Sequence, residues 1–73
     1  MVDIKKLKRG DSVHYTPEHF RDAGQYENGV VKSIAPNGGV FVVYNCNGEW
    51  HRYDDYTAAN TRPEDLFLGW KHK

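Results

Sequence analysis

Only one cysteine, Cys46, occurs in this 73-residue chain. That excludes an intramolecular disulfide and any zinc site built on several thiolates, and it suits a reducing cytoplasm. Long apolar runs are missing as well. No stretch approaches the roughly 20 residues of a membrane span, and residues 1–10 are too charged to serve as a signal peptide. Net charge is absent: ten Lys and Arg balance ten Asp and Glu, so no overall field draws the chain toward nucleic acid or an anionic membrane. Neither an internal repeat nor a low-complexity tract interrupts it. These absences predict a soluble cytoplasmic protein with no membrane partner. Its length predicts one small domain over 1–73, with a basic segment at 1–9 and the folded body over about 10–70.

The balanced charge is unevenly placed. Lys5, Lys6, Lys8 and Arg9 stand against Asp3 in the first ten residues, and Lys71 and Lys73 add to the basic end. Glu49, Asp54, Asp55, Glu64 and Asp65 outnumber Arg52 and Arg62 between 49 and 65. Strand signals dominate what lies between. "SVHYT" (12–16) alternates after the Gly-Asp turn of "RGD", while "GVVKSIA" (29–35) and "GVFVVYN" (39–45) are rich in β-branched residues. "PNGG" (36–39) joins the latter two as a hairpin turn, since Asn and Gly tolerate positive φ. "NCNG" (45–48) repeats the signal and hands the chain to "EWHRYDDY" (49–56). The prediction is a central three-stranded antiparallel meander near 29–35, 40–45 and 49–54.

Two longer connections remain. "TPEHFRDAGQYEN" (16–28) carries Thr16 as N-cap, Pro17 at the first helical position and Gly24 as terminator; it reads as a short helix or an extended loop. Pro63 and its neighbouring acids suggest one helical turn before a last strand in "LFLGW" (66–70). Alternation places Val40, Val42 and Tyr44 on one face of the third run and Phe41 and Val43 on the other. The expected core is Val13, Val31, Ile34, Val42 and Leu66, with extra cover for the third run from the 16–28 loop or the C-terminal Leu-Gly-Trp. Five short strands in so small a chain must curl to hide their edges, so the expected class is an all-β barrel.

The order "GDSV", "GVVKSI", "VFVVYN", "EWHRY" and "PEDL" resembles that of Tudor-like and other Src-homology-3-like small barrels over roughly residues 10–68. Short bacterial and prophage proteins look similar too. The resemblance implies a single five-stranded Src-homology-3-like barrel. It departs at "NCNG", where Tudor domains commonly carry an acid-aromatic-Gly-Asn turn, and at "DDYTAAN", which looks like an insertion.

Tudor-like barrels bind methylated Lys or Arg in an aromatic cage, where cation–π attraction favours the cation. By that resemblance Tyr15, Tyr44, Tyr53 and Tyr56 would supply walls, and Asp54 or Asp55 the countercharge. The competing reading makes these tyrosines the amphipathic rim of a small core. A second class of site gathers Lys5, Lys6, Lys8, Arg9, Lys71 and Lys73 at paired termini, with Trp70 as a stacking platform for nucleic acid. Its bland counterpart is a pair of solvated ends. Catalysis has little support. Cys46 with His14, His19 or His51 lacks a local signature, and Asp54 and Asp55 would face opposite ways in a strand. His14 and His19 have no metal-ligand spacing, and each Gly pair belongs to a turn and not to a phosphate loop. The sequence therefore predicts no enzyme, cofactor or metal. It predicts a noncatalytic module binding a protein or peptide, the alternatives being a nucleic-acid accessory protein and a self-associating assembly component.

Overall fold

The computed structural model describes residues 2–45 and 48–71. The chain forms β1 (Ser12–Tyr15), α1 (Glu18–Asp22), β2 (Glu27–Ile34), β3 (Val40–Val43), a 3-10 helix (Trp50–Asp55), β4 (Ala59–Thr61), a 3-10 turn (Pro63–Asp65) and β5 (Leu66–Leu68). All strands join one antiparallel sheet in the order β4-β3-β2-β1-β5. The fold is thus all-β, and the sheet is open: β4 and β5 are its edges.

The turn residues act where the sequence puts them. β2 and β3 pair across the Asn-Gly turn, with Gly38 at φ 92°. Gly24, at φ 68°, ends the short helix, and the helical turn at Pro63 precedes β5. Pro17 stands at the N-cap, one position later than the sequence suggests for the start.

The opening of the meander is as expected, but its third strand is not. Residues 49–54 do not pair with β3; Trp50–Asp55 coils into a 3-10 helix, and Ala59–Thr61 takes the place beside β3. "EWHRYDDY" contains no β-branched residue and three acids, a poor composition for a strand. Helical spacing instead gives Arg52 two acidic neighbours, with Nε 3.1 Å from Asp55 Oδ2 and Nη1 3.9 Å from Glu49 Oε2.

Val13, Val31, Val40, Val42 and Leu66 are fully buried on one face, sealed by Val2 and Leu7 from the N-terminal segment. Ile34 is a correction to the expected core. A bulge between Val31 and Ser33 shifts the register so that Ile34 pairs with Val40, on the face of Val31. It stands there at the last position of β2 and remains 37% exposed. On the opposite face Val30 and Val43, paired in register, are also buried. The 3-10 helix packs against β2 on its way past, and Trp70 donates its indole N–H to the Gly29 carbonyl at 2.8 Å. Cover for the second face therefore comes from the tail, as expected, and from the segment expected to be a strand.

Candidate functional site

The face that carries the core does not end in an apolar rim. Val13 and Tyr15 alternate onto it from β1, Val42 from β3 and Tyr44 from just beyond it, and all four pack against the core. Gly29, opposite Val13, leaves room for Tyr44, since any side chain there would strike Val42 and Tyr44. The rings of Tyr15 and Tyr44 consequently approach to 5.9 Å between centroids, tilted at 59°. Phe20 of α1 abuts Tyr15 edge-on at 5.7 Å, so the helix braces the outer ring.

These two tyrosines wall a cleft of about 370 Å³ whose other boundaries are Glu27, Asp65 and residues 59–62. Glu27 is placed there by the hairpin register, which sets it opposite Tyr15. Asp65 is placed by the 3-10 turn, fixed by the hydrogen bond from Thr16 N to Asp65 O at 2.8 Å. Tyr44 Oη lies 2.7 Å from Thr61 Oγ1, which itself donates to Ala59 O at 3.3 Å. Burial pushes the Tyr44 hydroxyl up to about 12, the hydrogen bond with Thr61 opposes this, and the neighbouring charges of Glu27 and Asp65 add to it. The same carboxylates make the cleft attractive to a cation. Arg62 also lines it, but its guanidinium is bound by Glu64, whose hydrogen bond and charge hold it protonated more firmly than usual. Two aromatic rings and two carboxylates thus line one open cleft.

The remaining residues of the expected cage lie elsewhere. Tyr53 sits beside Gly10 and beneath Arg9, whose Cζ is 5.8 Å from its ring centroid. Asp54 forms an ion pair with that same Arg9, and Asp55 pairs with Arg52. Tyr56 donates to Glu49 Oε2 at 3.0 Å and accepts at its carbonyl from Lys32 Nζ at 2.7 Å. None of the four lines the tyrosine cleft. The sequence reading missed Glu27, Thr61 and Asp65. Glu27 was legible in principle, because a hairpin closing on the 16–26 connection sets it across from Tyr15.

The basic residues divide between the two ends. Lys5, Lys6 and Lys8 are exposed on an N-terminal turn held by Asp3 and Asp11, which accept from the backbone N–H of Lys5 and Lys8. Arg9 is engaged with Asp54. Lys71 Nζ lies 5.6 Å from the Tyr26 ring, and its backbone exchanges two hydrogen bonds of 2.9 Å with the Asn28 side chain. Trp70 meets Trp50 at 5.0 Å between centroids. Lys73 and Cys46 lie outside the described residues. His14 stacks on Phe67 with Nδ1 2.8 Å from Gly69 O, His19 packs on Phe20, and His51 is exposed. Among the described residues there is no cluster of three metal-ligating side chains, and no helix is long and apolar enough to cross a membrane.

Comparison of the chain with protein-family models, with curated proteins and with solved structures finds no match in any of the three.

Proposed function

We propose that this protein is a noncatalytic binding module that recognises a protein or peptide through a cationic side chain, Lys or Arg, seated in the cleft beside the Tyr15–Tyr44 pair. The observation that carries the reading is the meeting of those two rings with Glu27 and Asp65 in one open cleft. Stacking supplies attraction to the cation and the carboxylates supply its countercharge, each effect worth about 0.5–1 kcal/mol at an exposed site and more as the cation is desolvated. Recognition is therefore weak per contact. As part of the same proposal, the five strands are an opened Src-homology-3-like barrel of the Tudor-like kind. The pairing of the first and last strands and the 3-10 turn before β5 support that assignment.

The test is an amide-shift titration with Nα-acetyl-lysine methylamide and its trimethylated form. Shifts should centre on Tyr15, Glu27, Tyr44 and Asp65 and should vanish in Glu27→Gln/Asp65→Asn. Absence of shifts at these positions would overturn the reading. A second reading, nucleic-acid binding at the ends, draws on the Trp50–Trp70 pair and on Lys71 over Tyr26. It is favoured instead if single-stranded oligonucleotides shift Lys5, Lys6, Lys8, Trp70 and Lys71, with an affinity that falls steeply with salt.

A further inference from the structure

The tyrosine cleft is not an isolated hollow. A second one, of about 560 Å³, is lined by Ile4, Gly38, Gly39 and Glu64, and the two share Asn60, Thr61 and Arg62. The shared residues are β4 and its exit, so the hollows form one trough beside that strand. β4 has β3 as its sole strand neighbour among the described residues. Alternate residues of β4 therefore direct their N–H and C=O groups away from β3, where another chain can pair with them, although the Ala59 carbonyl already accepts from Thr61 Oγ1. Ala59–Thr61 is blunted by its shortness alone: it carries no charge, no proline and no bulge, and Ala59 and Asn60 are exposed while Thr61 is buried. The Asn60 amide lies back against Gly39, where an added Cβ would collide with it. At the other edge, β5 is flanked by α1, whose Arg21 lies over Phe67 at 5.3 Å.

We infer that the partner binds as an extended basic peptide that adds a sixth strand to the free edge of β4 and delivers one Lys or Arg into the cleft beside Tyr15 and Tyr44. The inference rests on the proposed cation-binding role of that cleft and names how its occupant is presented. Charge selects the occupant. Arg62 pairs with Glu64 and also faces the charge of Asp65, so one cation stands against Glu27, Glu64 and Asp65 and the trough keeps a net negative charge. An acidic strand would meet these carboxylates, whereas a basic one complements them. Backbone pairing contributes affinity without sequence, and the cleft reads a single position, the division of labour general to strand addition.

The experiment compares four probes: Nα-acetyl-lysine methylamide, a capped peptide of about seven residues with Thr and Val alternating around one Lys, and two versions of that peptide N-methylated on alternate amides, one set in each register. The parent peptide should bind at least about tenfold more tightly than the single residue, and its shifts should extend to Ala59, Asn60 and Thr61. One N-methylated version should lose this gain and the other should keep it, because only every second amide faces the strand. If both N-methylated peptides bind like the parent, or the shifts move to Leu66–Leu68, strand addition at β4 is overturned while the cation site stands. If the single residue leaves Tyr15 and Tyr44 unmoved, the cation site fails first, and the inference fails with it.

Discussion

Gly29 shows how much of the cleft depends on one missing side chain. A Cβ there would stand 2.6 Å from Val42 Cγ1, 2.9 Å from the Val43 carbonyl oxygen and 3.0 Å from Tyr44 Cδ1. The valine methyl can shift, but the carbonyl is held in the sheet and the ring is wedged against Tyr15. Gly29→Ala should therefore destabilise the fold by about 1–3 kcal/mol, as overpacking does, and should displace the Tyr44 ring; a denaturant midpoint equal to that of the parent would contradict this packing. Val42 and Ile34 form an instructive pair beside it. Val42→Ala should cost about 2–4 kcal/mol in denaturant unfolding, with Ile34→Ala well below that because Ile34 stands at the rim. The bulge that brings Ile34 onto the core face, and the end of β2 that leaves it at the rim, carry no mark in residue types. Tyr44 adds a pH signature. Its hydroxyl ionises near 12 in the folded chain against an ordinary value of 10.0. The proton is held more tightly in the folded state, so this contribution to stability is complete below pH 10 and is lost as pH rises toward 12. A difference titration of tyrosinate absorbance between the parent and Tyr44→Phe should recover a group ionising about two pH units late.

At the scale of elements, legibility followed the turns. Asn37 and Gly38 announce the β2–β3 hairpin because the backbone there must take positive φ, a demand few residues meet. Pro17 and Gly24 bracket α1 for equally local reasons. "NCNG" carries the same kind of signal, yet no hairpin into 49–54 follows, since a turn cannot create a strand from residues that lack one's composition. As strand residues Tyr53 and Asp54 would face opposite ways, whereas the 3-10 helix turns both toward Arg9. The pairing of Tyr15 with Tyr44 joins two strands that are not neighbours in the sheet. Their approach across β2 depends on Gly29, so single-strand periodicity gave no access to it. The Arg9–Asp54 ion pair is exposed on both sides, 59% and 51% by side chain. Screening by water and salt should keep its coupling within measurement error in a double-mutant cycle of Arg9→Gln and Asp54→Asn. A coupling well above that would mean that this contact, and not apolar cover, anchors the 3-10 helix.

Across the whole molecule, the basic N-terminal segment has two separable roles. Val2 and Leu7 are buried in the core at 4% and 5% exposure, while Lys5, Lys6 and Lys8 between and beside them remain in solvent. Its amphipathic character is hidden in composition, where the lysines dominate and two aliphatic residues pass unnoticed. The backbone is fastened at both ends of the segment, with Val2 N 3.4 Å from Pro63 O and Gly10 N donating to Val31 O at 2.8 Å. The segment thus covers an open sheet too small to bury its valines unaided. Truncating Leu7 to Ala should cost about 2–5 kcal/mol, since it removes the widest apolar plug from that cover. Replacing Lys5, Lys6 and Lys8 together by Gln should change thermal stability by no more than about 0.5 kcal/mol per site, because each head group is already hydrated. The triple variant also separates the functional readings. It should leave Lys-peptide binding at the tyrosine cleft intact, whereas any oligonucleotide affinity that depends on those charges should fall, and its salt dependence flatten, by nearly one counterion per lysine removed. Loss of peptide binding in the lysine variant, with the fold retained, would move the recognition surface from the tyrosines to the N-terminal turn.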